Sequence, residues 1–260
     1  MNDNELLQAA LRAATRAAAF TLTGFRSRPV FERKGRVDLV TEFDRESERI
    51  LHEELDPTGV SVVGEEGGGA RVNEAFYVDP IDGTTNFVHG HPFYCVSVGL
   101  VREGAPVLGV VVAPALGITW RALASEGRAF RSDVECRVSG TEELGDSLLA
   151  TGFPYDRQDP ATNNFARFVN MKRHVQGVRR CGAAAIDLCL VADGTYDGYW
   201  EGQLHPWDLA AGAAIVLAAG GRVTHLNGSA FDARGREALA SNGRIHDAIV
   251  RELEKGPRAT

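Results

Sequence analysis

One segment in the first third of the chain has the side chains best suited to chemistry. It runs Tyr77-Val78-Asp79-Pro80-Ile81-Asp82-Gly83-Thr84-Thr85-Asn86-Phe87. Asp79 and Asp82 leave a predicted strand around the stiff Pro80, and the Gly-Thr-Thr stretch is predicted to open a helix. Carboxylates in this setting can hold hard cations, while backbone N–H groups at a helix start can bind a phosphate oxygen. The structural alternative is an Asp-rich turn that caps a helix.

Three other acidic segments lie where predicted helices and strands begin or end. Glu65 and Glu66 follow a predicted strand and stand among glycines, whereas Asp44 and Asp208 lie at the starts of predicted helices. Each segment alone has a structural explanation: a flexible loop, a helix cap or the helix dipole. Taken together with the two aspartates above, they favour a site in which carboxylate oxygens hold more than one metal ion.

The elements that would position these acids differ between the two halves of the chain. Apolar periodicity and β-branched runs predict helices at 1–26 and 42–55 and strands at 37–41, 60–63, 75–78, 93–102, 107–113, 118–124 and 127–131. Beyond them, strands at 148–150, 178–179, 196–200 and 223–224 alternate with helices at 162–172, 183–192 and 207–219. We therefore expect one compact α+β unit. Its α+β half, 1–145, carries the Glu-Glu and Asp-Pro-Ile-Asp-Gly-Thr motifs, and its α/β half, 146–260, carries a Trp-Asp motif and substrate residues.

Composition narrows the class of protein. The chain has 260 residues, of which 44% are hydrophobic, and a formal net charge of −7. These values indicate a globular fold and argue against nucleic acid as a partner. The four cysteines share no Cys-x-x-Cys spacing, which favours reduced thiols and a cytoplasmic protein. The longest apolar run is about half of what a bilayer requires, and charges interrupt the Ala-rich N-terminus, so we expect neither a membrane span nor a targeting peptide.

Four motifs together resemble the signature of the inositol monophosphatase family. They are Asp38-Leu39-Val40-Thr41-x-x-Asp44, Gly64-Glu65-Glu66, Asp79-Pro80-Ile81-Asp82-Gly83-Thr84-Thr85-Asn86-Phe87 and Pro206-Trp207-Asp208-x-Ala-Ala-Gly. They occur in the family's order, and the resemblance covers nearly the whole chain. It implies a layered αβαβα sandwich of the sugar-phosphatase type, a homodimer, and Mg²⁺-dependent hydrolysis of phosphate monoesters that lithium inhibits.

The resemblance also implies a role for individual residues. Two or three Mg²⁺ ions are implied, with ligands at Glu65, Asp79, the backbone carbonyl of Ile81, Asp82 and Asp208. The catalytic group consists of Glu65 together with Asp44 and Thr84, the pair that orients a water. The residues implied to bind substrate are Gly83, Thr84 and Thr85 on the phosphate side, and Gly182, Ala183, Ala184 and Glu201 on the alcohol side. Lys34 corresponds either to a family lysine near the site or to a solvated lysine.

Other functions are compatible with parts of the sequence. A haloacid-dehalogenase-type phosphatase uses an Asp-x-Asp turn, which Asp79 and Asp82 cannot form because they are three residues apart. A zinc hydrolase built on His89 and His91 lacks further soft ligands at the required spacing. Within the family, Glu201 and the short chain favour an inositol monophosphate, with histidinol phosphate or another polyol or sugar phosphate as the alternative. An alternative of a different class is a regulatory or assembly factor that binds RNA polymerase or ribosomal components.

Overall fold

The computed structural model describes residues 1–35, 38–69, 72–155 and 163–255. Its helices are α1 (Asp3–Gly24), α2 (Glu42–Leu55), α3 (Thr84–Val88), α4 (Phe165–Lys172), α5 (Ala184–Ala192), α6 (Pro206–Ala218) and α7 (His246–Glu254). Within the described ranges, no helix combines the length and the hydropathy that a membrane crossing requires.

The described residues form three sheets. The strands are β1 (Phe31–Arg33), β2 (Leu39–Thr41), β3 (Ser61–Gly64), β4 (Glu74–Asp82), β5 (Cys95–Arg102), β6 (Ala105–Ala113), β7 (Ile118–Leu123), β8 (Arg128–Arg131), β9 (Val134–Cys136), β10 (Leu148–Thr151), β11 (Gly177–Arg179), β12 (Gly198–Gly202), β13 (Arg222–Thr224) and β14 (Glu237–Ser241). A seven-stranded sheet has the order β3-β4-β5-β6-β7-β8-β9, and a five-stranded sheet has the order β11-β10-β12-β14-β13. The third sheet is the antiparallel pair β1-β2.

Helices and sheets alternate in five layers. Helices α1 and α2 pack on one face of the seven-stranded sheet, and their apolar side chains form one buried cluster with β4, β5 and β6. Helices α5 and α6 fill the space between the two large sheets. Helices α4 and α7 cover the outer face of the five-stranded sheet. The layered α+β architecture predicted from the sequence is confirmed, while the division into halves at residue 145 stays a prediction.

Small residues hold α6 close to the seven-stranded sheet. A Cβ at Gly99 of β5 would lie 2.4 Å from the Ala211 backbone nitrogen, and a Cβ at Gly109 of β6 would lie 2.2 Å from the Ala211 carbonyl oxygen. Because heavy atoms cannot approach that closely, only glycine fits at these two strand positions. The close packing of the helix on the sheet sets the position of Asp208 in its first turn.

Some elements differ from the sequence-based expectation. Strand β4 continues beyond residue 78 to Asp82, and β1, β9, β14 and α7 were not predicted. Strand β14 has the sequence Glu-Ala-Leu-Ala-Ser, whose residues favour helix, and it is extended because it pairs with β12 and β13. Val37 and Thr162, at the starts of a predicted strand and a predicted helix, lie outside the described residues. The four cysteines are free thiols, as expected.

Candidate active site

A break in the register of β4 separates the two aspartates of the central motif. Asp79 pairs with Ser97 of β5 and Asp82 pairs with Cys95, so β4 has one residue more than β5 over this stretch. This is the geometry of a β-bulge, which re-aims side chains at the end of a strand. The Ile81 N–H donates to Asp79 Oδ1 at 2.9 Å and fixes the turn.

Several of the predicted metal ligands raise one another's pKa. Burial raises the pKa of Asp79 well above its ordinary value, and repulsion from Glu65 and Asp82 adds to the effect. Burial likewise raises the pKa of Asp208, again with repulsion from Asp82. A backbone bond opposes this second shift, because the His205 N–H donates to Asp208 Oδ2 at 2.7 Å. The fold therefore gathers carboxylates whose negative charges repel one another.

Asp82 is held by the first turn of α5. The backbone N–H groups of Ala184 and Ala185 donate to its two carboxylate oxygens at 3.2 and 2.7 Å. Burial nevertheless raises the pKa of Asp82 to about 6, against the lowering effect of these bonds. Burial disfavours the charged form of Asp82, and the N-terminus of this helix stabilises that form.

Glu65 lies beside a lysine from another part of the chain. The Lys34 Nζ is 3.0 Å from Glu65 Oε1, and it also contacts the Glu66 carboxylate. Burial by itself lowers the pKa of Lys34, but the two carboxylates outweigh burial and raise it overall. Burial raises the pKa of Glu65 to about 7 even though the lysine opposes this. The structure therefore places Lys34 at the site rather than in bulk solvent.

Asp44 and Thr84, the predicted water-orienting pair, are in contact. The Thr84 hydroxyl lies 3.1 Å from Asp44 Oδ1 and 3.1 Å from the Ile81 carbonyl oxygen. The Thr41 N–H and hydroxyl both donate to Asp44 Oδ2, at 2.7 and 2.6 Å. Burial raises the pKa of Asp44 to about 6, and the Thr41 bonds oppose that rise. Both side chains of the pair are buried, so their geometry is fixed.

A cleft of about 100 Å³ adjoins these acids. Among its lining residues are Gly83, Gly152, Tyr155, Arg180, Glu201 and Asp208. Gly83 has φ +93°, and a Cβ there would lie 3.1 Å from one carbonyl oxygen and 3.2 Å from another. The position therefore requires glycine. Thr85 lines the adjoining opening, together with Gly83 and Arg180.

Glu201 is one of the acids that line the cleft. Tyr199 donates its hydroxyl to Glu201 Oε2 at 2.6 Å. Gly152 lies against the same carboxylate, since a Cβ at that position would be 2.0 Å from both of its oxygens. Burial raises the pKa of Glu201 to about 7, while the Tyr199 bond and the charge of Arg180 oppose that rise.

The predicted 182–184 segment reaches the site partly through its backbone. Asn86 of the central motif donates to the Cys181 carbonyl at 2.9 Å and ties the two segments together. Gly182 and Ala184 line the cleft, and the Ala184 N–H donates a hydrogen bond to Asp82. Ala183 is buried with 1% of its surface exposed. The roles of these three residues toward a substrate stay predictions.

The types of donor atom fit a hard divalent cation, although the side chains do not form a complete coordination shell. Among the described residues, no three His, Cys, Asp or Glu side chains converge closely enough to hold an ion by themselves. Two of the acids are engaged elsewhere, Asp82 with backbone N–H groups and Glu65 with Lys34. The donors are nevertheless all oxygens, and their carboxylates repel one another. Oxygen donors with excess negative charge are those that Mg²⁺ prefers.

Sequence reasoning assigned no role to two polar residues on the buried face of α2. Ser47 donates to the Pro80 carbonyl at 3.1 Å, and Glu48 accepts bonds from backbone N–H groups that follow Glu65. They lie three and four residues after Asp44, which is the spacing of one helix face. The spacing places them on the same helix face as Asp44, but only the tertiary structure shows which segments they bind.

Three comparisons with known proteins agree on one family. The model of the Inositol monophosphatase family matches residues 2–258. An inositol-1-monophosphatase of Synechocystis sp. is 42% identical over 233 residues, which are 87% of this chain and 81% of that protein. A putative Nus factor SuhB of Neisseria meningitidis is 37% identical over 93% of this chain and 95% of its own length. The solved inositol monophosphatase of Anabaena (Nostoc) sp. superposes with a TM-score of 0.90 at 37% identity, over 99% of this chain and 98% of that one.

Proposed function

Because the chain belongs to the inositol monophosphatase family and is a phosphatase that hydrolyses phosphate monoesters, we propose that its substrate is myo-inositol monophosphate, which it converts to inositol and phosphate with bound Mg²⁺. The observation that carries this proposal is the group of buried, mutually repelling carboxylates beside a cleft that Glu201 also lines. Like charges gathered in a buried site are stable together when a cation neutralises them.

The ligands proposed for Mg²⁺ form two sets. Glu65, Asp79 and the carbonyl of Ile81 belong to the first, and Asp79 is shared with Asp82 and Asp208 in the second. Bound Mg²⁺ would supply the positive charge that a transferring phosphoryl group requires and would lower the pKa of a water. The proposal is that two or three Mg²⁺ ions bind.

We propose that side chains and backbone N–H groups of the protein position the attacking water and the phosphate. The Thr84 hydroxyl donates to Asp44, so its oxygen is left to accept a hydrogen bond from the attacking water. Asp44 is placed to take up the water's proton through the Thr84 hydroxyl, which would receive a proton from the water as it passes its own to Asp44. The backbone N–H groups of Gly83, Thr84 and Thr85 are proposed to bind the phosphate oxygens. This would hold the phosphoryl group in position for transfer.

Glu201 is proposed to select the alcohol. Its carboxylate is fixed between Tyr199 and Gly152, and an ionised carboxylate can accept hydrogen bonds from two neighbouring hydroxyls of a polyol. Each charge-assisted bond is worth roughly 1.5–3 kcal/mol. The resulting preference for a polyol over a simple ester is about tenfold to a hundredfold at 1.4 kcal/mol per decade.

A phosphate-release assay tests both the metal and the substrate. Purified protein is assayed on inositol 1-phosphate, histidinol phosphate, glycerol 2-phosphate and p-nitrophenyl phosphate, with Mg²⁺ and with excess EDTA. We expect inositol 1-phosphate to give the highest kcat/KM and EDTA to abolish turnover. Full activity in EDTA would refute the metal dependence, and a preference for histidinol phosphate would refute the substrate.

The variant Glu201→Gln isolates the specificity residue. It should lower kcat/KM for inositol 1-phosphate while p-nitrophenyl phosphate hydrolysis is retained, because only the polyol reaches this carboxylate. Glu126→Gln, at an exposed position, is the matched control. An equal loss on both substrates would show that Glu201 does not select the alcohol.

A second candidate function belongs to a different class. The similarity to the putative Nus factor of Neisseria favours a role in binding RNA polymerase or ribosomal components. The cytoplasm as the compartment and a homodimer as the assembly are further parts of this proposal. Asp82→Asn separates the two functions, since it should remove hydrolysis and leave protein surfaces intact. Binding of purified RNA polymerase by this variant would support the second role, and the absence of binding by the unmodified protein would refute it.

A further inference from the structure

Glu48 of α2 is a buried acid that the proposed reaction does not use. Only 5% of its surface is exposed. Its Oε2 accepts a hydrogen bond from the Glu66 N–H at 2.9 Å, and its Oε1 accepts one from the Gly67 N–H at 2.5 Å. Both carboxylate oxygens are therefore bound to the backbone of the turn that carries Glu65.

The turn is built closely around this carboxylate. A Cβ at Gly64 would lie 2.4 Å from Glu48 Oε2, and a Cβ at Gly67 would lie 2.8 Å from Glu48 Oε1. Gly64 and Gly68 close the turn with two backbone bonds of 3.1 Å. The glycines on either side of the acid pair are thus explained by the approach of Glu48, because any side chain would occupy the place of its oxygens.

Glu48 belongs to a row of three polar side chains on one face of α2, which we name the α2 polar row: Asp44, Ser47 and Glu48. Two members bind the central motif and the third binds the turn that carries Glu65. Asp44 contacts the Thr84 hydroxyl, Ser47 donates to the carbonyl of Pro80, and Glu48 binds the turn of Glu65. One helix thereby sets the position of the central motif relative to the turn that carries Glu65.

We propose that Glu48 is a positioning residue that fixes Glu65 for binding Mg²⁺. This inference rests on the proposed function, since it takes Glu65 to be a metal ligand. Hydrogen bonds to a carboxylate are shorter and stronger than neutral ones, so losing two of them should loosen the turn. Groups that orient a metal ligand typically change metal affinity by about 10- to 100-fold when they are removed.

The test measures Mg²⁺ binding by isothermal titration calorimetry on metal-stripped protein, below the melting temperature of every variant. Glu48→Ala should weaken the binding of the ion held by Glu65 by about 10- to 100-fold. It should raise the Mg²⁺ concentration for half-maximal rate by the same factor and leave KM at saturating Mg²⁺ within about twofold. Glu48→Gln keeps one acceptor oxygen and should give an intermediate loss. Glu53→Ala, at an exposed position of the same helix, is the matched control and should bind Mg²⁺ normally.

A second variant tests the inference even if Glu48→Ala does not fold. Gly67→Ala leaves Glu48 in place but pushes its carboxylate away, so it should lower Mg²⁺ affinity in the same way. If folded Glu48 or Gly67 variants lose thermal stability and keep normal Mg²⁺ affinity, Glu48 is only a structural residue and the inference is wrong. If the unmodified protein binds no Mg²⁺, the proposed function itself fails.

Discussion

Removing the charge of Glu65 should make the metal-free protein more stable at alkaline pH. The folded state raises the pKa of Glu65 from 4.5 to about 7, chiefly through burial. Between these two values the folded state therefore holds a proton that the unfolded state has released. The free energy of unfolding falls as pH rises through this window, and the whole penalty is present above pH 7. Glutamine has no charge, so Glu65→Gln removes the penalty.

The size of the effect follows from the shift in pKa. One pKa unit corresponds to 1.36 kcal/mol, and the Glu65 side chain keeps 21% of its surface exposed, which reduces the full value through solvent screening. We expect Glu65→Gln to raise the free energy of unfolding by about 2–3 kcal/mol at pH 8. The gain should fall below about 1 kcal/mol at pH 5, where the folded wild type is already protonated.

Urea denaturation in EDTA at pH 8 and pH 5 measures both values. Repeating it with Mg²⁺ at about 100 times its Kd should stabilise the wild type by about 2.7 kcal/mol and Glu65→Gln by less. The reasoning is refuted if Glu65→Gln is less stable than the wild type at pH 8 in EDTA. In that case the ion pair with Lys34 stabilises the fold, and the acid is not a strained cation ligand.

Three further changes test other parts of the account. Asp82→Asn should lower kcat by several orders of magnitude because charge is lost from the proposed metal site, whereas Glu42→Gln, at an exposed position, should be nearly silent in the same phosphate-release assay. Gly152→Ala should raise KM for inositol 1-phosphate by about tenfold and spare p-nitrophenyl phosphate, since its Cβ would displace Glu201; equal effects on both substrates would contradict this. Burial lowers the pKa of His246 to about 4, so the unfolded state takes up a proton before the folded state does as pH falls below 6.5. The wild type therefore loses stability between pH 7 and pH 5. His246→Gln lacks this group, and its loss of stability over the same range should be smaller by about 2 kcal/mol.

The sequence predicts those elements whose signals are local. Helix α2 has the bounds 42–55 that its pattern predicts, because Thr41 and Asp44 form a capping box at its start and apolar residues repeat along one face. Strand β14 escapes prediction because its residues favour helix, and its extended form depends on neighbouring strands from distant parts of the chain.

The candidate site shows the same contrast. The acids of the central motif can be recognised because their types and spacing indicate metal chemistry without knowledge of the fold. Glu48 cannot, since a glutamate on an amphipathic helix is usually solvated, and only the tertiary packing brings the glycine turn onto it. Lys34 is similar, because its approach to Glu65 joins segments thirty-one residues apart.

The central claim is that the carboxylates gathered by β3, β4 and α6 bind divalent cations. Crystals soaked in Mn²⁺, with data collected for its anomalous signal, test this most directly. We predict anomalous peaks beside Asp79, one shared with Glu65 and the carbonyl of Ile81 and another shared with Asp82 and Asp208. A map with no peak at these carboxylates, or with Mn²⁺ bound only elsewhere, would contradict the account.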